Sequence, residues 1–408
     1  MKEIILILLL STGLIAGDFS YSGTLNMGYG HISQEYYEKD DYNNGLASAN
    51  VQLNLDYENS DFYFQSSIFA YGYRMDNGDE VQLPNYYDTV DEQGIFFRSL
   101  YMSYKATDNL SIGAGVLPFS NSTPTKYNND YMQDGEGIYM LNDNSLTSVF
   151  GIYKTEHSRT IVGLGTFDQI LVPTGNYIDE TLRKGGSYTA FAINTYEHNK
   201  FALTTEVLYN HIEYEKKDLA DVTVGGVALV YDDSEDSGWS VYGVAGFSIY
   251  DNHNTDAKEA IYENTLGPKA PAGDYIASLY PSSFAIEDKT YYGAATLLGA
   301  RKDFSLYRTD FFVSAEWFHT YGDWSSGNQG NIYMCQSNQT FNIRDNSYFL
   351  NTGYIISDSM LLRFNVTYLE YDEQGKIGAP ASTVPNDEYL GDGVIKEVLS
   401  RMVFTYKF

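Results

Sequence analysis

The chain ends in the stretch L399SRMVFTYKF408, in which apolar and polar side chains alternate. The apolar set is Met402, Phe404, Tyr406 and Phe408. The positions between them carry Arg401, Val403, Thr405 and Lys407. Alternation with period two is typical of a β-strand whose two faces meet different surroundings. We therefore predict a terminal strand with one apolar face and one largely polar, basic face.

The same alternation recurs along the chain. Near the start, one face carries Phe19, Tyr21, Leu25, Met27 and Tyr29. Such a pattern fits a soluble sandwich, whose apolar face points inward, and equally a membrane barrel, whose apolar face meets lipid and whose polar face lines a wet lumen. Three features favour the barrel: strands of mostly 10 to 14 residues, connections that alternate between short and long, and an exported-type leader.

The connections set the predicted strand number. Short, turn-rich connections fall at 58–61, 106–109, 155–158, 197–200, 232–238, 302–307 and 357–359. Long connections fall at about 33–46, 74–94, 118–146, 168–186, 213–221, 251–288, 322–345 and 372–393. The sequence thus predicts an all-β fold, a transmembrane antiparallel up-and-down barrel of about 16 strands, with 14 or 18 as alternatives. Sixteen tilted strands enclose an aqueous channel rather than a packed core.

The first residues read as a leader. Lys2 is followed by an apolar run over 4–10 and by small residues near Ala16 and Gly17, which is the pattern of a secretory signal peptide. We expect residues 1–17 to be this signal and residues 18–408 to form a single barrel domain. No later window approaches the 18 consecutive apolar residues of a membrane-spanning helix.

Charge and composition exclude several classes of function. The formal net charge is −29, which repels nucleic acid, so we expect no nucleic-acid partner. The single cysteine, Cys335, permits no disulfide within one chain. None of the six histidines forms an HExxH motif or a close pair, and no nucleophile elbow or phosphate loop is present. We expect no enzyme activity, no cofactor, no metal site and no catalytic residue.

At the level of architecture, the chain resembles the porins of the Gram-negative outer membrane. The resemblance covers the mature chain and is carried by the leader, by the alternating strands, by hairpins such as G353YIISDSMLLRFNVTY368 and by the terminal Phe408. It implies a channel in the bacterial outer membrane for passive diffusion of small hydrophilic solutes and ions. It also implies contact with outer-membrane lipid and lipopolysaccharide, and a homotrimer as the assembly. In such proteins the barrel-assembly machinery reads a C-terminal aromatic pattern, which Phe404, Tyr406 and Phe408 match.

The resemblance also implies a constriction loop at 118–146, folded into the lumen. Its acidic residues are Asp130, Asp134, Glu136 and Asp143. An acidic constriction would face basic wall residues, for which the candidates are Arg98, Arg363 and Arg401. The alternation places Arg363 and Arg401 inward, whereas the phase of Arg98 is ambiguous. A solvated external loop is the alternative for the acidic segment. With its negative net charge, the channel is expected to lean towards cations.

Two other functions stay open. A non-conducting outer-membrane barrel could act as a surface adhesin or structural protein, and an outer-membrane hydrolase is the less favoured choice. Aromatic residues near strand ends, all on apolar phases, support a membrane barrel because Tyr and Trp collect where hydrocarbon meets headgroups. This set is Tyr29, Tyr57, Trp239, Trp317, Tyr321, Tyr354, Tyr368 and Tyr406.

Overall fold

The computed structural model describes residues 17–36, 42–75, 91–120, 143–166, 188–214, 217–253, 288–307, 309–322, 324, 344–371 and 394–408. These residues form sixteen antiparallel strands in a closed barrel, in which each strand pairs with its neighbours in sequence and β1 pairs with β16. The predicted fold class and strand number are confirmed. No helix within the described ranges is long and apolar enough to cross a membrane.

The strands are uneven in length, from 9 residues in β7 to 19 in β1. Their bounds are β1 Asp18–Tyr36, β2 Tyr42–Glu58, β3 Phe62–Met75, β4 Asp91–Lys105, β5 Leu110–Ser120, β6 Asp143–Lys154, β7 Ser158–Thr166, β8 Tyr188–His198, β9 Phe201–Tyr214, β10 Lys217–Asp233, β11 Trp239–Asn252, β12 Thr290–Leu306, β13 Thr309–Gly322, β14 Arg344–Ser357, β15 Met360–Tyr371 and β16 Val394–Lys407.

The strands extend further at the long-connection end than the sequence pattern predicts. The connection between β9 and β10 spans only residues 215–216, where a loop over 213–221 was expected. Likewise β1 runs to Tyr36 and β2 begins at Tyr42, inside the expected loop 33–46. Backbone pairing continues beyond the apolar alternation because ladder hydrogen bonds do not depend on side-chain polarity. Side-chain alternation therefore marks where apolar surroundings end, not where the strand ends.

The barrel closes through the terminal strand. β16 pairs with β1 from Thr24↔Lys407 to Tyr36↔Val394. At the very end, the Gly23 N–H donates to the Phe408 carbonyl at 2.8 Å, and the Phe408 N–H donates to the Gly23 carbonyl at 3.0 Å. The Phe408 ring covers Gly23, where a Cβ would overlap it. The last residue thus completes the seam, and closure leaves no open edge among the sixteen described strands.

The outer surface of the barrel is apolar and carries aromatic residues at two levels. Large exposed side chains such as Val149, Val162, Leu298 and Met402 lie on the outward phase. Near the short turns, Phe304 stacks on Phe311 at 5.7 Å between ring centroids, and Phe311 stacks on Tyr354 at 5.3 Å. Near the other end, Tyr348 lies 6.0 Å from Tyr368 and Trp317 lies 5.7 Å from His319. The aromatic residues that the sequence placed near strand ends, from Tyr29 to Tyr406, all occupy this outward phase.

The spacing of the two aromatic levels matches a membrane. On β13 the lower ring of Phe311 and the upper ring of Tyr321 are ten residues apart. At about 3.3 Å per residue and a tilt of about 35–45°, that separation spans roughly 23–27 Å. The apolar band of outer-membrane barrels is about 25 Å tall. The outer surface is therefore dimensioned for a lipid bilayer.

Deleting Phe408 is expected to weaken the barrel more than replacing it by alanine. The deletion removes both backbone hydrogen bonds to Gly23 and the ring, whereas Phe408→Ala removes the ring alone. Two hydrogen bonds are worth about 1–3 kcal/mol net. Urea unfolding of barrels refolded in detergent, followed by heat-modifiable gel mobility, measures the difference. Phe304→Ala, in the aromatic level near the short turns but away from the seam, is the control. Equal unfolding midpoints for the deletion and for Phe408→Ala would contradict the seam assignment.

Candidate functional site

A polar arc lines the inner wall from β15 through β16 and β1 to β3. Arg363 on β15 donates from a terminal guanidinium nitrogen to Thr405 Oγ1 at 3.0 Å. Thr405 donates to Asn26 Oδ1 at 2.7 Å, and Asn26 Nδ2 donates to Asn50 Oδ1 at 2.8 Å. One hydrogen-bonded chain thus crosses four neighbouring strands on the inner face.

The arc continues onto β2 and β3 with amide, hydroxyl and carboxylate groups. Gln52 Nε2 donates to Ser67 Oγ at 3.0 Å. The carboxylate of Asp56 accepts from the Tyr63 hydroxyl at 2.8 Å and from Gln65 Nε2 at 3.1 Å. These groups are partly buried and fixed by cross-strand partners. Because their positions are fixed, these polar side chains present the same electrostatic pattern to every solute that moves along the wall.

Two of the three predicted wall arginines lie in this arc. Arg363 is 1 % exposed and Arg401 is 8 % exposed, and both take the inward phase of their strands. They are near neighbours, since Arg401 pairs with Asn365, two residues along β15 from Arg363. The inward placement predicted for both is what the structure shows. Arg301, on β12, is a further inward base that was not among the predicted wall arginines. Its guanidinium forms an ion pair with Asp303 Oδ1 at 2.6 Å.

Arg98 stands at an irregularity of β4. The register shifts there, because Ser67 pairs with Ser99 whereas the next residue, Ile68, pairs with Phe97. Arg98 is therefore the extra residue of a β-bulge, which explains why its stretch does not alternate cleanly. Its backbone lies in the strand; its side chain is outside what the structure describes.

Of the acidic loop, only the two ends are described. β5 ends at Ser120 and β6 begins at Asp143, and these two residues pair with each other. β5 thus reaches three residues into the expected loop 118–146, and β6 covers its last four. Asp130, Asp134 and Glu136 lie outside the described residues, as does the side chain of Asp143.

A large part of the inner face is apolar, and there the expectation of a polar lumen wall is wrong. Inward side chains of β4–β9 form one apolar cluster, which includes Tyr101, Phe150 and Phe191. Inward side chains of β10–β14 form a second, which includes Val224, Leu297 and Phe349. On β10 the signal was visible in D221VTVGGVALV230, where both phases carry apolar residues. The wall is thus divided into a polar arc and two apolar sectors.

Two inward carboxylates border the apolar sectors. The carboxylate of Glu316, on β13, accepts a hydrogen bond from the Tyr242 hydroxyl of β11. Glycine makes this possible, because Gly299 of β12 lies between them in the same row and a Cβ there would overlap the Tyr242 ring. Glu206, on β9, is buried, and no described residue donates a hydrogen bond to its carboxylate oxygens. Both carboxylates take the inward phase of their strands.

Comparison with known proteins gives structural likeness only. No protein-family model matches the chain, and no curated protein matches it. Among solved structures, OmpF of Salmonella typhi in complex with daunomycin aligns with a TM-score of 0.55 and 10 % identity, over 96 % of this chain and 97 % of that one. OprB of Pseudomonas putida aligns with a TM-score of 0.53 and 12 % identity, over 98 % and 96 %. The anion-selective porin from Comamonas acidovorans aligns with a TM-score of 0.51 and 9 % identity, over 96 % and 100 %. The fold is therefore that of outer-membrane porins.

Placing a methyl group at Gly299 is expected to destabilise the barrel. Gly299→Ala pushes the Tyr242 ring away from Glu316, and a buried carboxylate that loses its donor costs about 1–3 kcal/mol. Tyr242→Phe removes the same donor without moving the ring, so the two losses should not add in the double variant. The measurement is the urea midpoint of detergent-folded barrels. Gly243→Ala is the matched control, because its Cβ would meet the flexible Leu298 side chain at 3.2 Å and Leu297 O at an ordinary 3.7 Å. Additive losses in the double variant would contradict the assignment.

Proposed function

We propose that this protein is a porin-like channel of the bacterial outer membrane, through which small hydrophilic solutes and ions diffuse passively. The observation that carries the proposal is the closed sixteen-strand barrel, apolar outside and lined by a continuous polar arc inside. A barrel of this strand number has an interior wide enough for an aqueous path. Such a channel needs no catalytic group and no cofactor, since lumen charge and width set what passes.

The selectivity filter belongs to the same proposal. The acidic residues Asp130, Asp134, Glu136 and Asp143 form the constriction, on the segment that joins β5 to β6. The facing charge comes from Arg363 and Arg401, together with Arg98. In the barrel order, strands β1–β4 separate β16, which carries Arg401, from β5, which supports a placement of Arg401 and Arg363 away from the acidic segment, whereas Arg98 on β4 adjoins β5. A transverse field across the lumen orients polar solutes, and the net charge of −29 favours cations.

The proposed partners follow from the location. The outward apolar belt meets outer-membrane lipid, and lipopolysaccharide surrounds its external rim. The strand that ends in Phe404, Tyr406 and Phe408 is the segment that the barrel-assembly machinery reads, and it closes the seam with β1. The leader at 1–17 directs export, and residues 18–408 form one barrel domain.

A homotrimer is part of the proposal, with the low wall of the barrel as the contact. Strands β5–β8 have 11, 12, 9 and 11 residues, against 14 in β13. Within the described residues, the nine of β7 span roughly 21–24 Å, against about 25 Å for the apolar band, so β5–β8 are the lowest part of the described wall. The low wall also carries a shallow apolar groove with small residues at Gly151, Ala190 and Ala192. A second copy of the chain fits this groove without added charge.

A non-conducting barrel, acting as a surface adhesin or structural protein, is the second candidate. The two inward apolar clusters favour it, because packed apolar side chains reduce the polar surface along which water and ions move. Planar bilayer recording separates the two functions. Stepwise conductance on insertion supports the channel, whereas silence over many insertions, with the barrel folded, supports the second candidate.

Charge reversal in the constriction is expected to change ion selectivity. In bilayers under a salt gradient, Asp134→Lys combined with Glu136→Lys should lower the cation-to-anion permeability ratio at least about twofold, because acids at the narrowest point set the local potential. Arg401→Gln, which removes an inward base, should raise it. Glu235→Lys, in the exposed turn after β10, is the control. If the constriction variant conducts but its reversal potential equals that of the parent, the acidic filter is rejected. The channel itself would still be supported by the conductance.

Filling the groove of the low wall is expected to release single barrels. Ala190→Trp places an indole where the second copy would pack, without adding charge to the lipid-facing surface. The mass in mild detergent, measured by light scattering after gel filtration, should fall from three chains to one. Ala315→Trp on the taller β13 is the matched outward control. A trimer that survives Ala190→Trp places the contact elsewhere.

A further inference from the structure

A cluster of metal-ligating side chains lies on the outward face at the external ends of β9 and β10. His211 and Glu213 come from β9, and Asp218 comes from β10. One potential ligand atom from each of the three lies within 4.8 Å of the other two. The cluster is separate from the lumen and from every residue assigned to the channel. It is also open to the outside, since the Asp218 side chain is 63 % exposed.

A β-bulge brings the third residue to the cluster. Asp218 pairs with Glu213 and Ala220 pairs with Ile212, so the register shifts at the residue between them. In a regular strand, residues 218 and 221 would point to opposite faces, because their spacing is odd. The bulge places Asp218 on the same outward face as Asp221, which pairs with His211. The sequence shows the His-x-Glu pair of one strand but not this re-aimed aspartate.

The His211 ring is held in a defined orientation. Its Nδ1 lies 2.9 Å from Asp221 Oδ1, which also accepts from the Tyr209 hydroxyl at 2.6 Å. An ionised carboxylate only accepts hydrogen bonds, so Nδ1 carries the proton. In the neutral ring, Nε2 then presents its lone pair to the cluster. A carboxylate that fixes the non-ligating nitrogen of a histidine is the usual outer support of a protein zinc site.

The distances around Nε2 fit ligand atoms better than hydrogen bonds. Nε2 lies 3.6 Å from Asp218 Oδ1 and 3.9 Å from Glu213 Oε2, both beyond the range of N–H···O bonds. In a tetrahedral zinc site, bonds of about 2.0–2.2 Å hold neighbouring ligand atoms about 3.3–3.5 Å apart. The ligand atoms of Glu213 and Asp218 lie within 4.8 Å of each other. A contraction of roughly 0.4 Å between Nε2 and Glu213, and of up to roughly 1.3 Å between the two carboxylates, would meet that geometry.

We propose that His211 Nε2, Glu213 and Asp218 bind a divalent zinc ion at the external rim of the barrel. One imidazole nitrogen and two carboxylates form a donor set that suits zinc, and the fourth position faces solvent. His253 belongs to the outer support: its Nε2 lies 3.4 Å from Asp221 Oδ2 and 3.8 Å from Asp251 Oδ2. Bound zinc would fasten β9 to β10 across their two-residue connection.

Zinc titration of the folded, chelator-treated full barrel in detergent tests the proposal. Isothermal calorimetry is expected to give one zinc ion per chain at this site. Asp221→Asn, which changes the outer partner of His211, should weaken zinc binding roughly 10- to 100-fold. His211→Gln, which removes a ligand, should weaken it further. Asp218→Asn, at an exposed position, provides a ligand variant with little risk to folding. Heat-modifiable mobility confirms that each variant is folded.

His319→Gln is the matched control. His319 is also an outward histidine at the external end of a strand, but it contacts Asn346 and Tyr321 and lies outside the cluster. Zinc affinity should be unchanged in this variant. Absence of stoichiometric zinc binding by the parent barrel would overturn the proposal, and so would binding that survives both His211→Gln and Asp218→Asn. Magnesium in excess should not displace the zinc, because it prefers an octahedral set of oxygen ligands.

Discussion

The constraint behind this structure is that backbone polar groups in hydrocarbon must find partners within the protein. No water is available there, and an unpaired N–H or carbonyl costs several kcal/mol. A sheet meets the constraint only if it has no edges, so the first and last strands must pair. The seam between β1 and β16 therefore matters as much as any strand, and it runs to the final residue, where Gly23 and Phe408 exchange both backbone hydrogen bonds.

Lipid constrains the outer face far more tightly than anything constrains the inner face. A charge at mid-bilayer costs roughly 2–4 kcal/mol on the outer surface of a barrel, whereas polar and apolar groups can both be accommodated inside. This asymmetry explains why the outward phase of the regular strands was predictable from sequence, as at Met27 and Met402, while the division of the inner wall into polar and apolar parts was not. Inward packing instead depends on residues that pair across neighbouring strands. Tyr242 reaches Glu316 only because the intervening residue is glycine, a relation between three strands that no single strand reveals.

The same distinction separates what the sequence could predict at the candidate sites. Arg363 and Arg401 lie in regular strands, where counting by twos from an apolar neighbour gives their direction. Arg98 and Asp218 lie at β-bulges, where that count fails by one. Bulges leave little trace in composition, since the extra residue can be of almost any type. Side-chain direction from sequence is therefore reliable only between irregularities, and the irregularities are where side chains are re-aimed.

The external rim differs physically from the belt below it. Beyond the upper aromatic level the strands continue in water, as β9, β10 and β11 do with His211, Asp221 and Asp251 on their outward faces. The cost of an outward charge falls to about 0–1 kcal/mol near the interface, so this is the first height at which carboxylates can occupy the outward phase. Once charges are tolerated there, their mutual repulsion must be offset. A bound cation can do so, and the distances from His211 Nε2 to Asp218 and Glu213, 3.6 and 3.9 Å, are close to those between the ligand atoms of a zinc site. The membrane thus fixes where on the strand a rim site can form, and the bulge in β10 determines which side chains reach it.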